Sequence, residues 1–118
     1  MKFNIAGIEY EVKEADIKTI DTDGSLGLCD YETQTIVVDE SLPPQRKAQV
    51  IVHELMHALL LEAGYEDDHD EEFVQRMAIV LMPFLVGNDF GEMKLLAKGH
   101  GDLDRLKGRA QYFQDMGE

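Results

Sequence analysis

His53 and His57 stand four residues apart in the run Val52-His53-Glu54-Leu55-Met56-His57-Ala58, with Glu54 directly after the first histidine. On an α-helix that spacing sets both imidazoles on one face, about one turn apart. Two such rings can share one tetrahedral zinc ion at about 2.0–2.1 Å. Glu54 then projects beside the metal rather than at it. A carboxylate there can take the proton of a metal-bound water without ligating the ion. This is the general-base arrangement of zinc peptidases.

A His-Glu-x-x-His pattern fixes only three positions and also arises by chance, but chance predicts nothing about its surroundings. Here Val50, Ile51, Val52, Leu55, Met56, Ala58, Leu59, Leu60 and Leu61 make the segment apolar on nearly every side. Such a helix is expected to be buried. Glutamate and histidine are poorly tolerated inside a buried helix unless paired or ligated. The context favours a metal site over a satisfied polar cluster.

A catalytic zinc keeps three protein ligands and one open position, so neighbouring elements must bring a third. Ser41-Leu42-Pro43-Pro44 reads as an N-cap followed by prolines in the first turn. Gly64 suits the C′ position, which puts the motif helix at about 43–63. The densest acidic run, Glu66-Asp67-Asp68-His69-Asp70-Glu71-Glu72, opens a second helix expected over about 70–86. That helix is expected to carry Phe73, Val74, Met77, Ala78, Val80, Leu81 and Phe84 into the core. Acids at its start complement the helix dipole, and Asp68 with Glu71 fits a capping box. Glu72 is then left to point inwards. The candidates for third ligand are His69, Asp70, Glu71 and Glu72 and, more distantly, His100 and Asp102; the capping argument favours Glu72, with Glu71 next. His100, between two glycines, reads as a solvent residue. Tyr31, Tyr65 and His69 are candidate oxyanion donors, none specified by spacing.

Ahead of the motif lie short alternating segments. Phe3, Ile5, Ile8, Tyr10 and Val12 alternate with polar residues around an Ala6-Gly7 break, the pattern of a tight hairpin. Asp21-Thr22-Asp23-Gly24-Ser25 reads as a solvated loop. Residues 26–31 and 35–38 read as a second strand pair. The expected fold is α+β, a small antiparallel sheet of N-terminal strands packed on the motif helix and the second helix. A final helix is expected over Asp102 to Met116, with Leu103, Leu106, Ala110 and Phe113 on one stripe. One domain of 118 residues is implied, with its core at about 26–86 and a helical extension over 87–118.

Composition narrows the partners. The chain holds 11 basic and 24 acidic residues, a net charge of −13. Such a field repels phosphate backbones, which argues against nucleic-acid binding. Cys29 is the sole cysteine, so no intrachain disulfide forms, and the lone thiol suits a reducing compartment. The N-terminal stretch does not read as a signal peptide, and the apolar runs are too short and interrupted to span a bilayer. The expected setting is cytoplasmic and soluble, with no membrane partner.

The run Gly27-Leu28-Cys29-Asp30-Tyr31-Glu32-Thr33-Gln34-Thr35-Ile36-Val37-Val38-Asp39, leading into Val52-His53-Glu54-Leu55-Met56-His57-Ala58, resembles the ImmA/IrrE-type metallopeptidases. The likeness is to their small single-domain versions, common in bacterial prophages and mobile elements, and it covers roughly residues 26–84. The resemblance implies a zincin-like fold of gluzincin type. In that family the third ligand is a glutamate on the next helix, eleven residues before the proline of a Leu-Met-Pro ending; here Leu81-Met82-Pro83 points back to Glu72. The second helix departs from the family's alanine- and phenylalanine-rich pattern. The resemblance implies a substrate that is a repressor or other transcriptional regulator.

The expected function is zinc-dependent hydrolysis of a peptide bond in a specific protein, with His53, His57 and Glu72 on the metal and Glu54 activating the bound water. The alternative is a non-catalytic binding module of the same fold with a structural or vestigial zinc site. The retained Glu54 favours the enzyme, because a structural site needs the histidines and not the base.

Overall fold

A computed structural model of the chain describes residues 1–19 and 24–101. Strands β1 (Lys2–Ile5) and β2 (Ile8–Ala15) pair as an antiparallel hairpin, with Ile5 opposite Ile8. Its two-residue turn, Ala6-Gly7, has φ of 54° and 86°. Positive φ at both central positions matches the turn to the twist of the strands. The Asn4 side-chain oxygen accepts the Gly7 N–H at 2.9 Å and closes it.

A second hairpin joins β3 (Gly27–Asp30) to β4 (Thr35–Asp39). Asp30 starts its loop by accepting the N–H groups of Glu32 and Thr33 at 3.0 and 3.3 Å. The strands form one sheet in the order β1-β2-β4-β3, in which β2 and β4 run parallel. The sheet is therefore mixed, which corrects the antiparallel expectation. Chain direction gives the reason: β3 starts at the end where β2 finishes, two strand positions away, and β4 folds back into the gap between them. A 3-10 turn over Ile17–Thr19 begins that crossing, with Ile17 buried.

Helix α1 (Pro44–Glu62) covers one face of the sheet. Pro43, in an extended conformation, stands at its N-cap with no side-chain cap. Ser41 does not cap the helix as expected; its hydroxyl donates to Asp39 at 2.9 Å. At the other end Gly64, with φ of 103°, donates to the Leu61 carbonyl and Tyr65 to that of Leu60. This pair of bonds is the Schellman stop that Gly64 suggested. Ile51, Leu55 and Ala58, spaced i, i+4, i+7, meet Ile5, Tyr10, Val12 and Ile36 of the sheet. Each fully buried aliphatic side chain there contributes roughly 1.5–3 kcal/mol. That stripe fixes how α1 is rotated and so where its histidines point.

Helix α2 (Glu71–Val86) packs on α1 through Val74 and Ala78, both buried. Its cap is Asp70, whose carboxylate accepts the N–H groups of Glu72 and Phe73 at 3.0 and 3.4 Å. The expected Asp68–Glu71 capping box is thus displaced by two residues. Only one narrow face of α2 is covered: Phe73, Met77, Val80 and Phe84 are exposed, against the expectation of core positions.

By contacts the chain divides into units Met1–Val86 and Gly87–Glu118. In the second, α3 (Gly91–Ala97) begins where Asp89 accepts the Gly91 N–H at 2.8 Å. The final helix expected over 102–116, with Asp102, lies outside the described residues. Among those described, no single helix is long and apolar enough to cross a membrane.

Candidate metal centre

α1 and α2 bring His53, His57 and Glu71 together, one ligand atom from each lying within 4.8 Å of the others. One Glu71 carboxylate oxygen is 3.1 Å from Nε2 of His53, and its second is 3.1 Å from Nε2 of His57. Glu71 reaches both because Asp70 caps α2 and sets Glu71 in the first turn, on the face shared by Val74, Gln75 and Ala78. Glu72, expected as the third ligand, is turned away and pairs with Arg76 at 2.9 Å on the exposed side of the helix. The cap goes with this: with Asp70 rather than Asp68 at the N-cap, Glu71 faces the histidines and Glu72 the exposed side.

Each histidine meets a partner at its remaining nitrogen: Gln75, which the sequence reading did not single out, and His69, which it named in other roles. Gln75 faces Nδ1 of His53 at 2.8 Å. Nδ1 of His69 faces Nδ1 of His57 at 2.8 Å. An acceptor at Nδ1 turns a ligating imidazole so that its Nε2 lone pair faces the metal. Gln75 stands four residues after Glu71, and that spacing is a signal the sequence carried.

Glu54 is buried and is not part of the ligand group. It lines a cleft of about 630 Å3 together with His53, Glu71 and Gln75. The start of β3 forms one wall through Leu26 and Gly27, and Ala78, Ile79 and Met82 of α2 form another. Burial pushes the Glu54 carboxyl up to about 7; His53 opposes the shift and the Glu71 charge adds to it. Burial lowers the pKa of His57, against the pull of Glu71. The ring of His57 is thus biased towards the neutral form that binds metals.

Cys29 and Tyr31 lie near enough to Glu54 to feel its charge, but neither is in the ligand group. Burial pushes the Cys29 thiol up to about 12, which keeps it an inert neutral group. Tyr31 is likewise pushed up to about 12 by burial and lies outside the lining of the cleft; Tyr65 is exposed. His100 belongs to the second unit.

A small α+β domain whose motif helix and following helix converge two imidazoles and one carboxylate, beside a buried glutamate, defines a metallopeptidase-like class. The chain belongs to the IrrE N-terminal-like domain family of M78 peptidases, whose pattern matches residues 8–83. The match starts at β2, so it takes in the whole β2-β4-β3 part of the sheet, α1, and α2 as far as Pro83. No curated protein and no solved structure matches the chain.

Proposed function

We propose that this chain is a zinc-dependent metallopeptidase that hydrolyses a peptide bond in a protein substrate, with His53, His57 and Glu71 holding the ion and Glu54 as general base. The observation that carries this reading is the grouping of those three ligand atoms within 4.8 Å, with His53 and Glu71 lining an open cleft that Glu54 also lines. Two imidazoles and one carboxylate fit zinc, being the donor set of catalytic sites that keep a position open. When bound, the ion supplies Lewis acidity, polarising the scissile carbonyl and acidifying water.

The chain's own residues do the rest. Glu54 takes a proton from the attacking water and returns it to the leaving amine nitrogen. A carboxyl near neutrality suits both halves of that task. Gln75 and His69 hold the histidine rings. Strand β3 is a sheet edge beside the cleft, where an extended substrate segment can pair with its backbone. On the family resemblance, the substrate is a regulatory protein such as a repressor.

Elemental analysis of untagged protein purified without chelator tests the reading. About one zinc per chain is expected, and the same content in Glu54→Gln together with loss of hydrolysis. No metal after zinc is added back would leave a binding module without catalysis. Loss of zinc in Glu54→Gln would make Glu54 a ligand and remove its role as base.

A further inference from the structure

The two histidines of the centre are held differently. His53 meets an amide oxygen, that of Gln75. His57 meets a second imidazole, that of His69, with the two Nδ1 atoms 2.8 Å apart. The rings lie edge to edge and nearly coplanar, with centroids 5.1 Å apart and planes 19° from parallel. His69 comes from the loop before α2, between Gly64 and the Asp70 cap, so it is no part of either helix.

Two facing imidazole nitrogens make one hydrogen bond only if one carries the proton and the other does not. Nε2 of His57 points at the Glu71 carboxylate, 3.1 Å away, where the ion belongs on the proposed reading. To ligate through Nε2, His57 must carry its proton on Nδ1. Nδ1 of His69 must then accept, and the His69 proton must sit on Nε2. That Nε2 is buried and has no hydrogen-bond partner among the described residues. Leaving such a buried donor unpaired is unfavourable, since it loses its bonds to water and gains none. A packing role alone gives no reason for a polar ring to bear that cost. The contact also survives when Nε2 of His57 donates to Glu71, because an imidazole accepts or donates as required.

We propose that His69 is a positioning residue for the metal centre: its Nδ1 accepts the Nδ1–H of His57 and fixes that ring in the tautomer and orientation that bind the ion. The proposal rests on the metallopeptidase reading but concerns metal affinity, not the chemical step.

The test compares zinc affinity, by competition with a chromophoric chelator at fixed pH, for the full chain, His69→Phe and His69→Asn. Phenylalanine keeps an aromatic ring and removes the acceptor. Asparagine removes the ring and sets an amide oxygen near the former Nδ1. The expected result is a loss of about 10–100-fold in His69→Phe, with His69→Asn staying close to wild type. Affinity unchanged in His69→Phe, or equally weak in both variants, would reduce the contact to packing and overturn the proposal. A second reading needs no substitution: nitrogen-15 spectra of the zinc-loaded wild type should show His69 as the Nε2–H tautomer, and the Nδ1–H tautomer would overturn it. A wild type that binds no zinc sinks the metallopeptidase reading itself, whereas tight zinc binding with an indifferent His69→Phe sinks this proposal alone.

Discussion

A Cβ placed on Gly27 would lie 3.3 Å from Cγ of Glu54, 3.1 Å from the Val37 carbonyl oxygen and 2.5 Å from a Val50 methyl. The first residue of the edge strand therefore has no room for a methyl group between it and Glu54 and Val50 of the helix. Gly27→Ala must push Val50 and Glu54 aside, and overpacking of this kind costs about 1–3 kcal/mol. The expected outcome is a lowered unfolding midpoint and a fall in kcat larger than any change in zinc content. A variant that melts and turns over like wild type would show that α1 and β3 have slack there.

The two adjacent glutamates of α2 should behave oppositely. Glu71→Ala removes the carboxylate facing both histidines and should weaken zinc binding by more than about 100-fold, beyond the usual loss for an outer partner. Glu72→Ala removes an exposed i, i+4 pair with Arg76, which is worth at most about 0.5 kcal/mol of stability. Its zinc affinity should not change. Competition titration of both variants decides, and the reverse order would return the third ligand to Glu72.

Gln75→Leu keeps much of the side-chain volume but leaves Nδ1 of His53 without its acceptor. Zinc affinity should fall by about 10–100-fold with the fold intact, because Gln75 is exposed and carries little packing. Circular dichroism beside the titration separates that outcome from unfolding. An unchanged affinity would mean that packing alone orients His53.

Much of this arrangement could be read from residue spacing. The motif helix, its glycine stop and the Ala6-Gly7 hairpin follow from local chemistry: an i, i+4 pair, a C′ glycine, two residues able to turn. Sheet order did not follow, since period-two alternation marks a strand without naming its neighbours, and the β2–β4 pairing joins residues over twenty positions apart. Which glutamate faces the histidines went with which of several acids capped α2. Asp68 and Asp70 are both good caps, and the choice rotates every later side chain. One signal pointed the right way: Glu71, Val74 and Ala78 fall at i, i+3, i+7, with two small apolar residues that let helices approach closely. Phe73, Met77, Val80 and Phe84 drew attention by hydrophobicity alone, yet they lie on the exposed side.

Burial raises the Glu54 carboxyl from its ordinary 4.5 to about 7, and that shift should appear in the stability of the metal-free protein. In the unfolded chain Glu54 ionises near 4.5; folded, it keeps its proton until about 7. The stability linked to this group is therefore full below the lower value and is lost as pH rises to the upper one. At 1.36 kcal/mol per pH unit the loss is about 3 kcal/mol between those limits. Glu54→Gln carries no such charge and should escape it. His57, whose lowered pKa works in the opposite sense below its ordinary range, titrates in both proteins and largely cancels in the comparison. Urea unfolding in chelator at about pH 5 and pH 8 measures the effect: the variant should gain on wild type by a few kcal/mol at the higher pH. An equal gap at both pH values would mean that water reaches Glu54 freely, and the buried-base account of the site would fall with it.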